Sequence, residues 1–279
     1  MTEDSIFALL AEFHRRGDPV ALATVVLARG SVPRHPGSKM LVFPDGRIEG
    51  TIGGGEMESR VITEARASMR DGQPRMLHYE LSDPKAGDPG VCGGEVEVFV
   101  EPMGRGATLV VVGAGHVGRA VVHLAKWLGF RTVACDDRPE FAARDVVPEA
   151  DEHIVCRLAE LPQRVTIDSQ TYIVLTTRGV AIDVDGLPPL LDTPAAFLGV
   201  IGSRRRWETA ARLLAERGLP AEKIARVVSP MGLELKAETP EEIALSILAE
   251  IVMLRRGGTG APMRHDVRWP RTERSERGA

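Results

Sequence analysis

Apolar side chains recur at helical spacing near the start of the chain. Ile6, Leu9, Leu10 and Phe13 share one face and predict an amphipathic helix ending near Gly17. The pattern then changes: residues 20–28 are apolar and β-branched and predict a strand, whereas RGSVPRHPGSK carries two prolines and two glycines and predicts a loop. KMLVF and RIEGTI, joined by Pro44-Asp45-Gly46, predict a hairpin. A second helix follows Gly53-Gly54-Gly55, with Met57, Val61, Ile62, Ala65 and Met69 on its apolar face. Residues 75–79 and 95–100 predict further strands, and EPMGRGA predicts a linker.

Beyond that linker the periodicity shifts. TLVVVGAGHVGRAVVHLAKWLGFRTVACDD has a buried strand, a tight glycine turn, a helix and a second buried strand, which is a βαβ unit. TYIVLTT and AFLGVIG predict more strands. A final helix opens at Thr239-Pro240-Glu241-Glu242, where threonine can cap, proline suits the first helical position and Glu242 completes a capping box. Its apolar face is Ile243, Ile247, Leu248, Ile251 and Val252. The pattern therefore predicts an α/β protein with a mixed α+β N-terminal domain over residues 1–104 and a Rossmann-like parallel-sheet C-terminal domain over residues 105–256. A charged, glycine-rich tail over residues 257–279 is expected to be disordered.

Composition narrows the function classes. With 35 basic and 39 acidic side chains the 279-residue chain has a formal net charge of −4, which supplies no concentrated basic footprint for nucleic acid. No apolar run is long enough to span a bilayer, and Glu3, Asp4, Glu12 and His14 stand where a signal peptide would be apolar, so a cytoplasmic location is expected. Cys92, Cys135 and Cys156 are widely spaced and odd in number, which signals neither a disulfide framework nor a CxxC zinc site.

Candidate chemistry concentrates in glycine turns. Gly113-x-Gly115-x-x-Gly118, with His116 inside it, sits in the strand–turn–helix context of a dinucleotide fingerprint, and Asp136 and Asp137 follow at the usual offset. An NAD(P)-dependent oxidoreductase is one reading, with Asp137 on a ribose hydroxyl, although the histidines provide no convincing hydride-transfer acid. Gly202-Ser203-Arg204-Arg205-Arg206 follows a strand and opens a helix, a position that suits phosphate, with Ser203 and Arg204 as candidates. The Gly-Gly-Glu-x-Glu core occurs twice, as Gly54-Gly55-Glu56 and as Gly93-Gly94-Glu95 after Cys92. Glu56 and Glu95 stand against their turns and suit the amide edge of a pterin or purine, or a general base, whereas Glu58 and Glu97 are expected to be solvated. Cys92 adjoins glycine amides that favour a thiolate, a soft ligand for a metal or for sulfur chemistry. It could also act as a persulfide carrier in a sulfurtransferase. Cys135 and Cys156 are expected to be small buried hydrophobes. Ser31, Arg34 and Lys39 form a possible anion clamp.

GSVPRHPGSKMLV, GTIGGGEME, GVCGGEVEVFVEP, VVGAGHVGRAVVHLAKWLGF, CDDRPEF, GVIGSRRR and SPMGLELKAETPEEIALSILAEIV occur in an order that resembles the XdhC/CoxI family, accessory factors of xanthine dehydrogenase and related molybdenum hydroxylases. The resemblance implies an accessory protein, not a metabolic enzyme. It would bind molybdenum cofactor between its domains, support its sulfuration with a cysteine desulfurase, and insert it into an apo-molybdenum hydroxylase. It implies that the paired Gly-Gly-Glu turns cradle pterin and phosphate, that Cys92 touches molybdenum, and that the protein is a homodimer. One departure is Val180, where a histidine is expected after Thr-Arg-Gly in many relatives, while Arg178 and Asp183 remain.

Overall fold

The computed structural model describes residues 3–16, 18–80, 94–104 and 106–263. Cys92, Gly93 and residues 264–279 of the expected tail lie outside them. The first part holds α1 (Glu3–Arg16), β1 (Val20–Arg29), β2 (Lys39–Val42), β3 (Ile48–Gly50), α2 (Gly55–Asp71), β4 (Arg75–Glu80) and β5 (Glu95–Met103). The five strands pair antiparallel in the order β3-β2-β1-β5-β4. The two-residue period of a strand sorts β1: Ala21, Ala23 and Val25 point into a core with Met57, Val61 and Ala65 of α2, while Val20 and Leu22 join Ile6, Leu41 and Phe43 beneath α1. Val96, Val98 and Val100 of β5 are likewise buried, which leaves Glu95 and Glu97 on the other face.

The second part runs β6 (Thr108–Val112), α3 (His116–Trp127), β7 (Arg131–Asp136), β8 (Glu152–Val155), α4 (Leu161–Arg164), β9 (Thr171–Leu175), α5 (Val180–Gly186), α6 (Pro188–Leu191), β10 (Phe197–Val200), α7 (Arg204–Glu216), α8 (Ala221–Ile224) and α9 (Pro240–Arg256). Its five strands are parallel in the order β10-β9-β6-β7-β8. Counted within the domain this is the order 3-2-1-4-5 read from the far edge, the Rossmann arrangement, and its switch point lies where β6 neighbours both β7 and β9. β6 and β9 are buried along their whole length because apolar clusters cover the sheet on both faces.

The expected capping box forms: Thr239 accepts from the Glu242 amide and Glu242 accepts from the Thr239 amide. β3 is shorter than RIEGTI predicts, because Thr51, Ile52 and Gly54 turn their donors onto Glu58 instead of continuing the ladder. β5 is longer, since Pro102 and Met103 still face Ala21 and Val20. The two parts touch where α2 ends: Ser169 Oγ and Gln170 Nε2 donate to the Arg70 carbonyl, just before β9.

Candidate functional site

The glycine fingerprint is built as steric logic requires. Gly113 has φ +105°, a conformation strained for any L side chain, and a Cβ there would stand 2.6 Å from the Thr176 carbonyl oxygen. At Gly118 a Cβ would strike the Gly113 carbonyl oxygen, so only glycine lets α3 approach β6 this closely. Thr176 Oγ1 donates to Gly113 O at 2.5 Å and ties the turn to the end of β9. Gly115 caps α3, which places the unpaired amides and the positive dipole end of a 12-residue helix at the turn.

A cavity of about 490 Å³ opens at the carboxyl ends of β6, β7 and β9. Gly113, Gly115, Asp137, Arg138, Cys156 and Arg178 are among its lining residues. This is the crevice where open α/β sheets hold ligands, and its size is in the usual range for small-molecule sites. Asp136 is buried and accepts from the Ala114 amide at 2.9 Å and from Arg138 Nε at 2.9 Å. Burial pushes its carboxyl up, but the Arg138 guanidinium and amide together with the Ala114 amide outweigh burial and hold it below the ordinary carboxylate value. Asp137 projects from the strand end and binds Arg178, with Nη2 to Oδ2 at 2.9 Å. A ribose hydroxyl would therefore compete with guanidinium groups for both acids.

Beneath the cavity lies a buried polar network. Asp183 is fully buried, accepts from Thr177 Oγ1, and receives Arg206 Nη2 at 2.7 Å. Arg206 also donates to the Thr177 carbonyl oxygen, which locks the β9–α5 loop to the start of α7. The sequence singled out Asp183 and the Arg204–Arg206 run without joining them. Ser203 caps α7, accepting from the Arg206 amide, and Arg204 is exposed. Neither Ser203 nor Arg204 is among the residues lining the cavity, and His116 faces a groove with Arg119 and Pro240 instead.

The first-domain turns form a separate group. A Cβ at Gly53 would meet Pro33, and one at Gly94 would meet Val32 and the carbonyl oxygens of Arg29 and Ser31. Gly53 and Gly94 thus both rest on the loop after β1, and Gly54 and Gly55 follow Gly53 with positive φ. Glu58 is not simply solvated: its Oε2 accepts from Thr51 Oγ1 at 2.5 Å and from the amides of Ile52 and Gly54, and so organises the first turn. Glu56 pairs with Arg60 at 2.5 Å. Glu95 pairs with Arg29 at 3.5 Å and stands 3.7 Å from His78 Nδ1, which is equally far from Glu97. Lys39 donates to the Gly37 carbonyl oxygen at 2.9 Å. Among the described residues, those lining the cavity all belong to the second part of the chain, whose contact with α2 is at the opposite, amino edge of the sheet.

The fold is thus a Rossmann domain with an open crevice at its switch point, following an antiparallel α+β part that bears glycine turns. The chain matches the XdhC Rossmann domain over residues 109–251 and the XdhC and CoxI family over residues 13–80, and it belongs to that family. It is 35% identical over 93% of its length to the uncharacterized protein YqeB of Escherichia coli (strain K12), of which it spans 48%. It is 25% identical over 91% of its length to the molybdenum cofactor insertion chaperone PaoD of the same organism, of which it spans 90%. A Bacillus subtilis (strain 168) protein, named as a probable xanthine dehydrogenase subunit, is 29% identical over 56% of this chain and 44% of its own. The chain therefore spans about half the length of two of these three relatives. A crystal structure described as a xanthine dehydrogenase from Bacillus halodurans shares the fold, with a TM-score of 0.50, 24% identity, and coverage of 94% of this chain and 98% of that one. Among the described residues, no helix is long and apolar enough to cross a membrane.

Proposed function

We propose that the protein is a maturation chaperone that binds molybdenum cofactor and inserts it into an apo-molybdenum hydroxylase of the xanthine dehydrogenase family. The observation that carries this reading is the cavity at the Rossmann switch point, with the α3 N-terminus on one side and Arg138, Arg157 and Arg178 around it. A pyranopterin phosphate fits this donor set: helix-terminal amides and guanidinium groups recognise phosphate, and the apolar part of the wall, Val112, Leu158 and Ile182, takes the flat pterin. The likeness to PaoD, named as a molybdenum cofactor insertion chaperone, supports the same reading.

In this reading Gly113, Gly115 and Gly118 let the turn approach the phosphate, while Asp137 and Arg178 exchange partners as it binds. The first-domain group of Gly54, Gly55, Glu56, Gly94 and Glu95, with Cys92 and Gly93 of the Cys-Gly-Gly pattern, handles the metal end, Cys92 as a soft ligand to molybdenum. Since Gly54, Gly55, Glu56, Gly94 and Glu95 do not line the cavity of their own chain, a homodimer would let one protomer's turns cover its partner's cavity. His116, Ser203 and Arg204, expected at the cofactor, do not line this pocket. Sulfuration with a cysteine desulfurase, action on a client in the cytoplasm, and the absence of turnover of a metabolite complete the proposal.

The alternative, an NAD(P)-dependent oxidoreductase, draws on the same glycine turn. It is disfavoured by the guanidinium groups already bound to Asp136 and Asp137. Gel filtration of the purified protein with molybdenum cofactor, and titration with NADH and NADPH in parallel, separates the two. Equimolar co-elution of molybdenum and pterin is expected. Tight nucleotide binding with neither molybdenum nor pterin retained would overturn the chaperone and favour the oxidoreductase.

A further inference from the structure

Cys135 and Cys156 are 21 residues apart, yet their sulfurs lie 3.2 Å from one another and both are buried. The topology brings them together. Cys135 is the penultimate residue of β7, Cys156 follows β8 directly, and β8 lies parallel beside β7 with Ile154 opposite Cys135. The amide of Cys156 continues this contact by donating to the Asp136 carbonyl oxygen at 3.2 Å. The sulfurs are already closer than two unbonded thiols normally pack, and a disulfide needs them to approach by only about 1.2 Å more.

The two thiols are not equivalent. Cys135 is sealed in the core, whereas Cys156 is one of the residues lining the 490 Å³ cavity. The hydrogen bond between the two sulfurs lowers the Cys156 pKa against the effect of its burial and, together with burial, raises that of Cys135. Cys156, at the cavity wall, is therefore placed as the attacking thiol and Cys135 as the resolving thiol behind it.

We propose that Cys135 and Cys156 form a peroxide-sensitive dithiol in the cavity wall, which oxidises reversibly to an intramolecular disulfide. The Cys156 thiolate attacks a peroxide oxygen, breaking the O–O bond and releasing hydroxide, so that Cys156 becomes a sulfenic acid. The Cys135 sulfur then attacks the Cys156 sulfur; the hydroxyl group leaves with the Cys135 proton as water, and the S–S bond forms. In sum, two thiols and one hydrogen peroxide give one disulfide and two waters. A dithiol reductant reverses the bond by thiol–disulfide exchange. The site stands whatever the cavity holds, because the reaction needs only entry of a small peroxide.

The test is peroxide treatment of the folded full-length protein, followed by denaturation, alkylation of remaining thiols and peptide mass spectrometry. The expected result is a Cys135–Cys156 cross-linked peptide, a mass loss of about 2 Da in the intact protein, and full reversal by dithiothreitol. Cys92→Ser should leave the cross-link intact. Cys135→Ala should stop the reaction at a sulfenic acid on Cys156 that dimedone traps. Recovery of both Cys135 and Cys156 as alkylated thiols from the oxidised wild type, or a cross-link from Cys92 to either, would overturn the proposal.

Discussion

At the scale of single residues, the second-domain site depends on atoms that tolerate little change. Gly118→Ala drives a methyl into the Gly113 carbonyl oxygen and should destabilise the protein by about 2 kcal/mol, read from the urea midpoint. The Asp183–Arg206 pair is more sensitive still. Removing Arg206 leaves a fully buried carboxylate without its cation, and Arg206→Ala should cost about 3 kcal/mol or more by the same measurement. Asp136 sets a pH dependence whose sign follows from its lowered pKa. Its contribution is complete above the ordinary carboxylate value of about 3.9 and is lost as the pH falls through the lower folded value. The gap in urea midpoint between wild type and Asp136→Asn should therefore be constant near neutrality and shrink in acid; a gap that widens in acid would contradict the assignment. The glycine fingerprint was legible because its spacing reports a backbone requirement. The Cys135–Cys156 pair was not, since it needs β8, a four-residue strand beginning with Glu152 and His153 that carries too little apolar pattern to be read.

At the scale of elements, caps and periodicity were legible wherever the cause is local. α9 starts at its capping box because threonine, proline and glutamate each meet a requirement of a helix start, and Thr239→Ala should cost about 1 kcal/mol. α2 shows the limit of such reading. Glu58 lies on a polar helix face and so suggests exposure, but the preceding turn folds back and gives it three donors. Glu58→Ala would strand the amides of Ile52 and Gly54 and should cost about 1–2 kcal/mol, with hydrogen exchange quickening at residues 51–54 before the rest of the domain. Glu58→Gln, which keeps an acceptor oxygen, should lose less. α5 was not predicted from the apolar pattern of GVAIDVDG; it is helical because Asp183 and Val184 are pinned in the core by Thr177, Arg206 and the apolar cluster.

At the scale of the whole molecule, the sheet topology fixes the place of the cavity, and none of the described first-domain turn residues lines it. Sequence spacing identified both groups of residues but not their separation, because the distance between two sites depends on how domains dock and leaves no periodic trace. The proposed function requires the Rossmann cavity to hold the cofactor. Ile182 lines that cavity and is only partly buried, so Ile182→Trp should fill the space with little damage to the core. The decisive measurement is retention of molybdenum and pterin by purified wild type and Ile182→Trp after incubation with molybdenum cofactor, with folding checked by circular dichroism. The wild type should retain both in equal amounts, and the folded variant should bind at least about tenfold more weakly, a loss of about 1.4 kcal/mol. Undiminished retention by folded Ile182→Trp, with retention abolished by Glu95→Ala, would contradict the claim and move the site to the first-domain turns.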